Sequence, residues 1–170
     1  SDKKLVIFED SKGGLPPREI TLAEGLKEQG YATACIGKWH LGHLPQHLPL
    51  RHGFDYYYGI PYHNTADRVV DPAQGRSVYY GEPKVEWWNL PLMRGTEVIE
   101  RPADQRLLTQ RYTAESIQFI RQNRDRPFFL FLSSSSPPLL FLCSQAGQDI
   151  FARFFSDLFR YEIQSTEHGV

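Results

Sequence analysis

Two short apolar runs rich in β-formers, residues 31–36 and 127–132, constrain the fold of this chain most strongly. Each is nearly continuous in apolar character, which suits a strand covered on both faces rather than a half-exposed one. Ahead of the second run, Leu108, Tyr112, Ile117 and Ile120 recur at helical spacing within residues 103–123, the pattern of a long amphipathic helix. A shorter helix opens at Thr21, where Glu24 stands at capping-box spacing, and it stops at Gly30. Helix, strand, loop, helix, strand is the order of an α/β protein with a parallel sheet. The two runs are therefore expected to be neighbouring parallel strands with the long helix packed across them. Residues 37–101 carry prolines at 45, 49, 61, 72, 83 and 91 and read as mostly loop, a stretch long enough to imply a functional insertion.

The first strand runs into Gly37-Lys38-Trp39-His40-Leu41-Gly42. Loops that follow strands are where α/β proteins place their chemistry. Lys38 offers a fixed positive charge and His40 a group that donates or accepts a proton near neutral pH, a pair suited to an anion. Alternation along an extended loop puts the two side chains on the same side.

The flanks sharpen this reading. Upstream stand Leu15-Pro-Pro-Arg-Glu-Ile-Thr-Leu-Ala-Glu24 and Leu26-Lys-Glu-Gln-Gly-Tyr-Ala-Thr33, and downstream Arg51-His-Gly-Phe-Asp-Tyr-Tyr-Tyr-Gly-Ile-Pro-Tyr62. From about Gly13 to Leu132 this succession of motifs resembles the sulfatase family, in particular the arylsulfatase and N-acetylgalactosamine-6-sulfatase type. The resemblance implies an alkaline-phosphatase-like α/β fold, a mostly parallel sheet flanked by helices with a long loop-rich insertion. It divides the chain into residues 1–132, part of the N-terminal catalytic domain, and residues 133–170, a divergent tail with a helical pattern over residues 150–161. Where family members carry histidines after the second strand, this chain has serines.

Through the same resemblance Lys38 is expected to contact the sulfate of a substrate. His40 is expected to hydrogen-bond the nucleophile's hydroxyl and to help release sulfate, and His63 occupies a position where a serine often lines the site. The family hydrolyses aryl or carbohydrate sulfate esters with a formylglycine made from a C-x-P-S-R cysteine and with Ca²⁺ held by acidic pairs. Neither Cys35 nor Cys143 lies in such a motif, and the chain has no adjacent aspartates and no Asp-Asn pair, so formylglycine is absent and metal ligands are not found. The short stretch 165–169, with Glu167, is only superficially similar to the family's metal loop. The expected reading is an incomplete sulfuric ester hydrolase, inactive alone. The alternatives are a non-catalytic sulfate- or carbohydrate-binding remnant and a fragment that cannot bury its own strands. The family is usually secreted, periplasmic or lysosomal, while the sequence itself fixes no compartment and no oligomeric state.

Composition narrows the partners. A net charge of −1 with 23% charged residues makes no case for nucleic acid. No apolar run approaches the length of a membrane span, and no secretory leader opens the sequence. The aromatic pairs near residues 56–58, 79–80 and 87–88 fit either a sugar-binding platform or local core. His40, His43 and His47 have zinc-like spacing, but Pro45 and Pro49 exclude the helix that would align them. Two cysteines define no disulfide framework.

Overall fold

A computed structural model describes Ile7, residues 10–69, residues 84–134 and the strand at 140–144. One six-stranded sheet organises these residues: β1 (Ala32–Gly37), β2 (Tyr56–Gly59), β3 (Leu92–Arg94), β4 (Glu97–Glu100), β5 (Phe128–Ser133) and β6 (Leu140–Ser144). Their spatial order is β4-β3-β2-β1-β5-β6. The strands expected from the two apolar runs are neighbours and parallel, in register from Ala32 opposite Phe128 to Gly37 opposite Ser133. β2 joins β1 on its other side, also parallel. The parallel character belongs to these three central strands. At both edges it gives way to antiparallel pairing, β3 on β2, β4 on β3 and β6 on β5, so the sheet is mixed. The reason is local at one edge: β3 and β4 are joined by only Gly95 and Thr96, and so short a link permits only an antiparallel pair.

Alternation along the strands builds two cores. Ala32, Ala34 and Ile36 of β1 and Phe128, Leu130 and Leu132 of β5 face one side, where α2 (Leu108–Gln122) covers them with Leu108, Tyr112, Phe119 and Ile120. Cys35 of β1, Tyr57 of β2 and Phe129 of β5 face the other side, where Ala23 of α1 (Leu22–Glu28) joins Trp39, Leu48 and Phe54. Each central strand is thus buried on both faces, which explains why its sequence is a run rather than an alternation. The capping box of α1 is present in both directions, Thr21 Oγ1 accepting from the Glu24 amide at 3.1 Å and Glu24 Oε2 accepting from the Thr21 amide at 2.7 Å.

The long helix begins later than its pattern predicts. Asp104 caps a 3-10 turn over Gln105–Leu107, and the α-helix starts at Leu108. Ser116 and Phe119 complete its buried face, while Ile117 is only partly covered. Residues 37–101 are irregular over more than half of their described length, as expected, but β2, β3, β4 and three 3-10 turns interrupt the loop. Those strands are three or four residues long and bracketed by prolines, too short for a periodic signal. Within the segment from residue 133, β5 extends through Ser133 and β6 adds to the same sheet. The helical pattern over residues 150–161, Glu167, and the aromatics at 79–80 lie outside the described residues. No helix among the described residues is long and apolar enough to cross a membrane.

Candidate functional site

The carboxyl ends of the three parallel strands come together, and the expected site residues follow directly from two of them. Hydrogen bonding between β1 and β2 continues past both strand ends: the Ile60 amide donates to the Gly37 carbonyl (3.2 Å), Trp39 to Ile60 (3.0 Å) and His40 to Pro61 (3.0 Å). On the other flank the Lys38 amide donates to the Ser133 carbonyl at 2.8 Å. Gly37 is required at the centre of this junction. Its φ is 105°, and a β-carbon there would overlap the Ser133 carbonyl oxygen.

His40 ends the extended stretch with φ 60°, a left-handed conformation uncommon for a residue with a side chain and concentrated at functional positions. Its Nε2 lies 3.1 Å from the Ile7 carbonyl. A carbonyl only accepts, so Nε2 carries the hydrogen and Nδ1 of the neutral ring is an acceptor. The His63 ring, presented by the loop after β2, stands 5.4 Å from that of His40 at an angle of 59°. His63 Nδ1 in turn lies 2.8 Å from Thr65 Oγ1. Burial holds the His40 imidazole below its usual pKa, and the charges of His63 and Lys38 push in the same direction against the Ile7 carbonyl. The His40 and His63 rings therefore stand together, the charge of Lys38 acts on His40, and His40 is neutral at pH 7 there.

The partners that fix these rings were not visible in the motif. Ile7, Thr65 and Ser133 contribute backbone or hydroxyl groups that carry no sequence signature. The loop bearing His63 is pinned from the far edge of the sheet. Asp67, itself at φ 56°, accepts from Tyr62 Oη at 3.1 Å and pairs with Arg101, and its carbonyl accepts from the Asn89 amide at 2.9 Å. Gln105 Nε2 adds a bond to the Asn64 carbonyl at 2.8 Å. Beneath the other loop, Trp39 donates through Nε1 to the His47 carbonyl at 2.8 Å and stacks on His52, a fully buried ring with neither nitrogen hydrogen-bonded.

The remaining candidates separate from the site. Tyr57, Tyr58 and Trp88 are core residues, whereas Tyr56 and Trp87 are half-buried. His43 packs edge-on to Tyr62, and His47 Nδ1 lies 3.2 Å from the Leu15 carbonyl. Among the described residues no group of three or more histidines, cysteines or carboxylates is placed to hold a metal, so the donor set does not fit a calcium cage and no step is assigned to one. Cys35 is fully buried, and burial raises its thiol pKa well above the usual value, the opposite of a nucleophile's environment.

Comparison with known proteins identifies the family of the chain. The Sulfatase family model matches residues 4–159. Arylsulfatase G of Mus musculus is 38% identical over 151 residues, covering 76% of this chain and 29% of that protein. Steryl-sulfatase of Homo sapiens is 33% identical over 187 residues, covering 76% of this chain and 32% of its own length. The crystal structure of Ps i-CgsB in complex with k-i-k-neocarrahexaose superposes with a TM-score of 0.58 at 26% identity, over 78% of this chain and 30% of that one. The chain thus spans about three-tenths of the length of the relatives it matches. A doubly covered α/β sheet, a Lys-Trp-His loop at its carboxyl edge and a match over most of the sequence have one common account: the chain belongs to the sulfatase family.

Proposed function

We propose that this chain contributes the anion-holding wall of a sulfuric ester hydrolase acting on aryl or carbohydrate sulfate esters. Lys38 supplies the fixed positive charge for the sulfate oxygens. His40, neutral and with Nδ1 as acceptor, takes or returns a proton beside the sulfur centre, and His63 adds a hydrogen bond to the bound oxyanion. The observation that supports the reading is the pairing of the His40 and His63 rings at the carboxyl ends of β1 and β2, with the Lys38 charge acting on His40 and His40 in the left-handed region. Calcium, where a family member binds it, neutralises sulfate oxygens. The described residues act instead through a lysine and two imidazoles.

On this reading the 170-residue chain binds inorganic sulfate but does not turn over an ester, since the Cys35 thiol is buried with its pKa raised and no metal-ligand group stands among the described residues. A lysine and a histidine hold an anion without supplying the nucleophile and metal that lower most of the barrier. Sulfate titration followed by calorimetry, with 4-nitrocatechol sulfate hydrolysis measured in the presence of calcium, tests both halves. The expected result is binding that weakens on Lys38→Ala, with no hydrolysis. Turnover abolished by Lys38→Ala would overturn the inactive half and point to a nucleophile outside the described residues.

A further inference from the structure

We propose that His52 is an acid-sensitive latch on the loop that carries Lys38 and His40: as a neutral ring it seats Trp39, and as a cation it leaves that stack and lets the loop open. The inference goes beyond the anion reading and stands without it, because none of its readouts involves a ligand.

Trp39 separates Lys38 from His40 in the chain, so the seating of its ring sets the path of both. The indole is buried, with Phe54 edge-on to it and the His52 ring stacked on it at 5.9 Å and 28°. Its Nε1 donates to the His47 carbonyl at 2.8 Å. His52 has no exposed surface, and among the described residues neither of its ring nitrogens has a hydrogen-bond partner. Its main chain is tied down, the carbonyl accepting from Thr21 Oγ1 at 2.8 Å and the amide donating to the Pro49 carbonyl at 2.9 Å, while packing alone holds the ring. A neutral imidazole tolerates such a place. An imidazolium brings a charge and two N–H donors that need water or an acceptor. The indole face attracts a cation but accepts from neither N–H in the stacked geometry.

Two titratable groups act on the ring. Glu24 of α1 draws it toward charge, but Glu24 Oε2 is engaged by the Thr21 amide in the capping box, and His47, from the 3-10 turn Pro45–His47, opposes the charge. Lys27 and Asp55 pair with each other at 2.6 Å, and Arg51, next in sequence, is exposed. Burial outweighs Glu24, so the seated ring lies below the ordinary histidine pKa. A ring moved into water recovers that ordinary value of about 6.5. The open form therefore binds the proton more readily and gains population as pH falls through that value.

Hydrogen exchange of the full chain, followed by NMR between pH 7.5 and pH 5, tests the latch. The Trp39 indole N–H is assigned among the signals of Trp39, Trp87 and Trp88 with Trp87→Phe and Trp88→Phe. Its protection, relative to the unfolded chain at the same pH, is expected to fall by up to about tenfold per pH unit below about 6.5. It should also stay at least about tenfold under that of the Ala34 and Leu130 amides in paired β1 and β5, because the loop opens without the sheet. His52→Phe keeps an aromatic ring against Trp39 and removes two unpartnered nitrogens, so the fold should be retained. This variant is expected to cut the pH slope by about half or more. Should it fail to fold, His52→Gln, equally without a titrating ring, is expected to give the same reduction. Trp39 protection that does not vary with pH, a slope unchanged in these variants, or protection equal to that of Ala34 and Leu130 at every pH overturns the latch.

Discussion

Replacing Gly37 by alanine tests whether the strand-end junction is as tight as its geometry requires. Gly37 closes β1, and its carbonyl accepts the Ile60 amide, while the next residue's amide bonds Ser133. Its φ of 105° costs an L-residue about 1–2 kcal/mol. The added methyl also falls on the Ser133 carbonyl, so β1 and β5 must separate and the Lys38 amide loses its acceptor. An orphaned amide in this setting costs about 1–3 kcal/mol. Restricting the unfolded chain returns about 0.4–1 kcal/mol, and the net loss is about 2–4 kcal/mol by these principles. Against a total of about 5–15 kcal/mol for a domain, that is a large fraction. Gly25 is the control, a helical glycine whose β-carbon would meet nothing within 4 Å. Gly25→Ala is expected to stabilise the chain by about 0.5–1 kcal/mol. Urea unfolding of both variants reads the difference in midpoint at constant m. A Gly37→Ala protein within about 1 kcal/mol of the parent would show that the strand ends yield easily, and the argument for a rigid junction would fail.

Other consequences follow from burial and charge. Burial holds the His52 imidazole below its ordinary pKa against the pull of Glu24, and burial does the same at His40, so the unfolded chain binds protons more readily than the folded one. Stability is therefore full above the ordinary histidine value of about 6.5 and declines as pH falls through it, which urea midpoints at pH 7.5 and pH 5 will show; a higher midpoint at pH 5 refutes the assignment. Cys35 should resist a thiol reagent in the native chain and react only on unfolding, as peptide mapping of the labelled residue would reveal. Asp67→Ala removes the carboxylate that ties Tyr62 and Arg101 to the His63 loop, and sulfate affinity should drop several-fold, whereas Asp125→Ala, in an exposed pair with Arg124, should leave it unchanged.

The central strands were legible because burial on both faces writes itself into composition: Ala32–Gly37 and Phe128–Ser133 lack the polar alternation of a one-sided strand. α1 was legible for a different reason, since Thr21 and Glu24 satisfy each other's backbone amides at a fixed spacing. β3 and β4 left no such trace. Val98 and Ile99 are largely exposed, and three or four residues at a sheet edge derive their conformation from the neighbouring strand rather than from their own pattern. The same holds for the tyrosines of β2, whose composition fits a loop platform and a buried strand equally well until β1 is placed beside them.

The site divides along a similar line. Lys38 and His40 could be read from their loop because side-chain type at a strand end carries chemical meaning on its own. What orients them could not, because the Ile7, Pro61 and Ser133 groups that bond residues 38–40 are main-chain carbonyls, common to every residue type. Main-chain support has a physical consequence. No side-chain substitution at Ile7 or Ser133 removes the acceptor, so the orientation of Lys38 and His40 should depend on strand register more than on the identity of these neighbours. The His63 side is built the opposite way, through the side chains of Thr65, Tyr62, Asp67, Arg101 and Gln105. One wall of the site is therefore fixed by the sheet, while the other is open to change by single substitutions.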